Sequence, residues 1–273
     1  ADEAAGLFRE LVPELASCLP EDFEKLAWVS EEVLNASEGL ESVLSDDGEV
    51  RMVDGLLKQW LLAMNNFGHA LLASEQPGEA VDVLGQLLRI QEVVYPDSEA
   101  VFINRNNLAG ALAGAGRSDE SLVVLEQLVV DEQRVLGVGS LETLKARNNL
   151  LTFQSGRDLD EGFDPRWAEY LSDMELLVAD AVEHLGPSHP FTLTLRGPQT
   201  GFLMCLAGLA DQAIPEVESV LHVQTQELGL SDGDEDVLLA REILIDALTN
   251  VGRFRRAAEI QSDRLAAITS KFG

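Results

Sequence analysis

Basic side chains are scarce: 19 Lys and Arg stand against 48 Asp and Glu, a formal charge of −29. A field of that sign repels nucleic acid and anionic lipid, so neither is expected as a partner. Cysteine is nearly absent. Cys18 and Cys205 lie far apart, with neither CxxC nor secreted-framework spacing, which excludes a disulfide scaffold and points to two reduced, partly buried thiols. No apolar run approaches the roughly 18 to 20 residues that span a bilayer. The opening Ala1-Asp2-Glu3-Ala4 has neither the basic region nor the apolar stretch of a signal peptide, and a cytoplasmic location is expected. Aromatic residues are only 5% of the chain, so Trp28, Trp60 and Trp167 are expected to pack in the interior; Trp167, with Phe163 in a long turn, is the exception to watch. Alternating β-branched runs bounded by hairpin turns are missing too, which removes the sheet classes.

Catalytic signatures are equally thin. There is no GxSxG, no P-loop and no Cys/His pairing that would set a nucleophile beside a base. Gly114-Ala115-Gly116 begins like a dinucleotide fingerprint but follows a helical run and lacks the third glycine. Asp232-Gly233-Asp234-Glu235-Asp236 and the group Asp158, Asp160, Glu161 and Asp164 resemble parts of a calcium loop without its closing glutamate. His69, His184, His189 and His222 show no metal-ligand spacing, and His189 is expected to be structural. Neither an enzyme nor a cofactor or metal site is expected.

What the chain does contain is repetition. Arg-Asn-Asn-Leu occurs at Arg105 to Leu108 and again 42 residues later at Arg147 to Leu150, a period that signals stacked supersecondary units. Leu122, Leu125, Leu128, Val129, Val135 and Leu136 have the spacing of three and four that builds one helical face, as do Val101, Leu108, Ala111, Leu112 and Ala115. Gly116-Arg117-Ser118-Asp119-Glu120 between them ends one helix and caps the next. Asn65-Asn66-Phe67 opens a segment whose turn, Gln76-Pro77-Gly78-Glu79, stands where that turn stands. Antiparallel helix pairs are therefore expected at 3–18/22–43, 50–74/78–94, 98–115/118–136, 141–154/165–185, 190–207/210–228 and 235–251/254–271. With 46% apolar residues to bury, six such pairs give an all-α, right-handed α-solenoid, read as one domain over 1–273 with a degenerate first pair in 1–49. Pro198 is expected to remove a hydrogen bond and bend its helix, and residues 155–167 lengthen the fourth pair's turn.

The stretch RNNLAGALAGAGRSDESLVVLEQLVVDEQRVLG from Arg105, together with LGPSHPFTL at 185–193, resembles the tetratricopeptide repeat family in the longer-repeat form seen in kinesin light chains and many bacterial regulatory proteins. The resemblance covers about residues 50–271. It implies protein or peptide binding, without catalysis, in a groove lined by the first helix of each pair. It equally allows a regulatory arm of a larger signalling protein (a nucleotide-switch ATPase, kinase or transcription regulator) that holds its own chain inactive.

Two ladders follow the period. Asn65/Asn66, Asn106/Asn107 and Asn148/Asn149 occupy equivalent places in successive first helices; amides carry donors and acceptors and can hold an extended peptide's main chain, or else fix the stacking of neighbouring helices. Arg105, Arg147, Arg196 and Arg241 either grip carboxylates of an acidic partner or pack between helices and pair with the chain's own carboxylates. Asn65, Asn66, Asn106, Asn107, Asn148, Asn149, Arg105 and Arg147 are the candidate binding residues. Ala109, Gly110, Ala113 and Gly114 make one first helix small-sided, for close helix approach or for room in the groove. Finally, the charge is uneven: residues 1–50 hold 2 basic and 14 acidic side chains, residues 241–273 hold 6 and 4. With Arg253, Arg255 and Arg256 close together, weak head-to-tail self-association or docking of this face onto an acidic partner is expected, unless the arginines only neutralise the nearby Glu242, Asp246, Glu259 and Asp263.

Overall fold

One residue in the left-handed backbone region turns each of four helical hairpins. Glu75, Gly116, Gly208 and Gly252 have φ of 57°, 75°, 75° and 74°, and the residue after each donates its N–H back to the last turn of the preceding helix. These bonds are Gln76 to Leu71 O at 2.9 Å, Arg117 to Leu112 O at 2.8 Å, Leu209 to Met204 O at 2.7 Å and Arg253 to Leu248 O at 2.8 Å. This is the six-to-one bond of a Schellman cap, in which glycine pays no Cβ penalty. The same closure four times over gives the chain its antiparallel helical hairpins.

The computed structural model describes residues 49–160 and 166–272. Helix is their only regular structure. The pair expected at 3–18/22–43, with Cys18, Trp28 and Phe163, lies outside the described residues. In order, α1 is Glu49–Ala73, α2 Pro77–Val94, α3 Glu99–Gly114, α4 Ser118–Leu136, α5 Leu141–Asp160 and α6 Trp167–Leu185. Then α7 (Pro190–Thr194), a π turn (Leu195–Gln199) and α8 (Thr200–Leu206) form one interrupted helix; α9 (Ala210–His222) ends in a second π turn (Val223–Glu227); α10 is Glu235–Asn250 and α11 Phe254–Phe272. No helix of the described residues is long and apolar enough to cross a membrane.

Two compact units divide the chain, Ala1–Val135 and Leu136–Gly273. In the first, α1, α2 and α3 close a core around the fully buried Leu71, Leu84, Leu87 and Ala111. Helix α4 joins α3 through the buried Ser121 hydroxyl, which donates to Ala109 O at 2.8 Å, and buries Leu125 and Leu128. In the second unit, Leu144 of α5, Met174 and Leu177 of α6, and Leu195 and Leu203 of the interrupted helix form one cluster. Val217 of α9 with Ala240, Ala247 and Leu248 of α10 forms the next.

Two boundaries depart from expectation. Helix α5 continues to Asp160 instead of stopping near 154, through the Ser155-Gly156 that reads as a breaker. Ser155 is buried, its hydroxyl donates to Thr152 O at 3.0 Å, and the Tyr170 hydroxyl of α6 donates to Gln154 O at 3.3 Å, so packing overrides local propensity. Pro198 does not simply delete a bond; the helix widens to π geometry around it. Thr200 N–H and the Thr200 hydroxyl, the latter at 2.7 Å, both reach Leu195 O, which satisfies a carbonyl five residues back. His189 is structural, its Nδ1 accepting from Phe191 N–H at 3.2 Å as the cap of α7.

Candidate functional site

Helices α1 and α3 are the first helices of successive pairs, and each shows one face at helical spacing. On α1 that face carries Leu62, Asn65 and His69; on α3 it carries Ala100, Ile103 and Asn107. The Asn107 amide nitrogen lies 3.4 Å from Asn65 Oδ1 and 2.9 Å from His69 Nε2. An amide nitrogen only donates, so in this contact His69 Nε2 is the acceptor. Beside this polar cluster lies a cavity of about 390 Å³. Leu61 and Leu62 of α1, Tyr95 and Ile103 form its apolar wall, and Leu62 and Ile103 are 60% and 48% exposed. Gln91 and Ser98 also line it, yet neither Gln91 Oε1 nor Ser98 Oγ has a hydrogen-bond partner, although Gln91 is only 5% exposed. Both oxygens are enclosed, and a buried acceptor without a donor is costly.

Asn65 and Asn107 are thus brought together, but the other asparagines are not part of the cluster. Asn66 is exposed and Asn106 half-buried; Asn148 and Asn149 belong to α5 in the second unit, both half-buried, with Asn148 Oδ1 enclosed and unpaired. Of the small residues, Ala109 is fully buried against α4 while a side chain at Gly110 would meet open space, so that helix serves both close approach and room. His69 escaped the sequence reading, although it stands one helical turn beyond Asn65. Asn104 escaped too: it is fully buried, and its amide donates to Leu84 O at 3.1 Å, joining α3 to α2.

The four arginines share a register. Arg105, Arg147, Arg196 and Arg241 each stand seven residues after the residue that opens their helix, namely Ser98, Ser140, His189 and Asp234. Arg105 reaches Glu92 of α2 at 2.7 Å and Asp131 of α4 at 2.5 Å, Arg147 reaches Asp180 of α6 at 2.6 Å, and Arg196 reaches Glu216 of α9 at 3.4 Å. Arg241 pairs with Asp232. These heads meet the chain's own carboxylates, and in three of the four the ion pair ties a first helix to the second helix of its own pair. Asp232 and Asp234 are engaged as well, Asp234 accepting from Ser231 N–H and hydroxyl at 2.6 and 2.9 Å.

Burial disfavours the charged Asp131 carboxylate, but hydrogen bonds from Gln127, Arg105 and Arg134 outweigh it and hold the carboxyl below its ordinary 3.8. A depressed carboxylate stabilises the fold above its ordinary pKa, and that stabilisation fades as pH falls through the folded value. Arg105→Gln is therefore expected to cost about 1 kcal/mol near neutral pH, with the gap to wild type closing in acid as Asp131 is protonated. Urea titrations from neutral to strongly acid pH measure this; a gap that stays constant in acid refutes the ion-pair explanation. Cys205 is a free thiol; burial first, then the nearby Asp246 charge, push it above the usual cysteine range, so it is a poor nucleophile.

No family profile and no curated protein matches the sequence. Solved structures do. A protein from Podosopora anserina described by its "kinesin light chain nearly identical TPR-like repeats" aligns with a TM-score of 0.59 at 20% identity, over 78% of this chain and 96% of that one. A single-substitution form of it gives 0.60 at 20% identity, over 77% and 95%. BtubC (BKLC) from P. vanneervenii gives 0.63 at 13% identity, over 90% and 94%. At these identities the likeness speaks for the fold, and the chain has the TPR-like repeat fold of the kinesin-light-chain type.

Proposed function

We propose that the chain is a non-catalytic interaction module that holds an extended segment of a partner protein along the exposed faces of α1 and α3. The observation that carries this reading is the Asn65–Asn107–His69 cluster set directly beside an apolar cavity. Amides supply main-chain hydrogen bonds without specifying sequence, and the cavity selects a side chain. The net charge of −29 favours a partner segment that is basic overall.

Selection of displayed peptides on the intact chain tests it. Selected peptides are expected to carry an apolar anchor, and Asn107→Ala is expected to weaken them roughly tenfold, the loss of one or two hydrogen bonds, with the helical spectrum unchanged. Peptides that bind equally well to Asn107→Ala and to Leu62→Ser place recognition elsewhere. Unfolding of Asn107→Ala makes the amides stacking groups instead.

A further inference from the structure

Three carboxylates, Glu92, Asp97 and Glu99, adjoin in sequence the cavity-lining Gln91, Ser98 and Ala100, and of these Glu92 and Asp97 are paired with Arg105 and Arg134. The site is an apolar hollow in an acidic setting. The second unit presents the opposite chemistry. Phe254, the first residue of α11, is 66% exposed, an unusual place for a phenyl ring; it lies against the Gly252 turn, its Cε2 3.9 Å from where a Cβ on Gly252 would stand, and its neighbours Arg253 and Arg255 are both exposed. Arg256 follows and pairs with Glu218.

We propose that the α1/α3 cavity of one molecule receives Phe254 of a second copy of this chain, with Arg253 and Arg255 of that copy against the acidic rim. This rests on the α1/α3 site being the binding site. Burial of the ring supplies the apolar term, and the Arg253 and Arg255 guanidiniums meet carboxylates locally, beside the cavity. The two surfaces are different, so the contact is heterologous: each molecule that accepts a Phe254 still offers its own, and association proceeds head to tail into a ring or an open chain.

Ile103 and Phe254 are both solvent-exposed, so Ile103→Glu and Phe254→Ser leave the fold intact and separate the two halves of the contact. Sedimentation of the whole chain is expected to show wild type growing in mass with concentration and shrinking as salt rises, since exposed charges are screened beyond roughly 8 to 10 Å at physiological salt. Each variant alone is expected to associate roughly tenfold more weakly or worse, the loss of one buried phenylalanine contact. Mixed, they regain association but stop at a one-to-one complex, because Phe254→Ser keeps only the cavity and Ile103→Glu keeps only the ring. A synthetic peptide of residues 250–258 is expected to compete.

Wild type that remains monomeric at every concentration, single variants that associate as wild type does, or a mixture that fails to pair each overturn the proposal. The binding site is scored separately. Displayed peptides that bind wild type and not Ile103→Glu uphold the α1/α3 site even where the wild type is monomeric, and self-association alone then falls.

Discussion

Leu84→Ala is expected to lower stability by about 3 kcal/mol, and Gly68→Ala is expected to restore part of that loss in the Leu84→Ala background while destabilising wild type. Leu84 is fully buried in the α1–α2–α3 core. A Cβ placed on Gly68 of α1 would overlap Leu84 Cδ2 and lie 2.7 Å from its Cγ, so the leucine occupies the very space that the glycine leaves. Removing the leucine opens a cavity that an alanine methyl at 68 can enter; adding the methyl with the leucine present forces the helices apart. The two changes therefore couple, and a double-mutant cycle in urea is expected to depart from additivity by about 1 kcal/mol or more. Hydrogen exchange across α1 to α3 localises the loss. Additive changes would mean that α1 and α2 approach less closely than this contact requires.

Gly201→Leu is expected to destabilise the second unit by about 3 kcal/mol, at the upper end for overpacking a core. Gly201 is buried in α8, and a Cβ there would stand 2.8 Å from Ile243 Cγ2 of α10 and 2.9 Å from Val217 Cγ2 of α9. Two helices close on it from different sides, and neither β-branched neighbour has a flexible end to move away. Gly110→Ala on α3 is the control. A Cβ there meets nothing within 4 Å, so that change is expected to be neutral or to stabilise by about 0.5 kcal/mol through helix propensity and a less disordered unfolded chain. Equal effects at 110 and 201 would show that propensity governs both sites. Thermal unfolding by circular dichroism distinguishes them.

The helix pairs were legible because both signals that define them are local. Leu122, Leu125, Leu128 and Val129 mark a buried face, and Gly116 sits where a left-handed residue must close a hairpin. The arginine register was legible too, since a repeating residue at a repeating place needs only counting. Which carboxylate each arginine would meet was not, because a chain with 48 acidic residues offers many, and choosing Asp131 or Asp180 takes the packing of a second helix. The site was half visible. Asn65 and Asn107 stood out by repetition, but Gln91 and Ser98 come from the end of α2 and the turn after it, and only tertiary packing carries them to Leu62 and Ile103.

Pro198 announced a disturbance without its form, and the form has a consequence for how the chain is to be counted. Leu112 stands fourteen residues after Ser98 and Leu248 fourteen after Asp234, whereas Met204 stands fifteen after His189. The interrupted helix holds one residue more than its counterparts, and the π turn at Leu195–Gln199 is where it is stored. An extra residue in a regular helix would rotate everything beyond it by about 100° and swing Gly201 away from Val217 and Ile243. Taken up as a bulge, it leaves both ends in phase with their neighbours. Ancestral copies of a repeat can thus gain a residue inside a helix without lengthening a loop, and a fixed-length repeat pattern laid along this chain slips by one column at Pro198 although the fold does not.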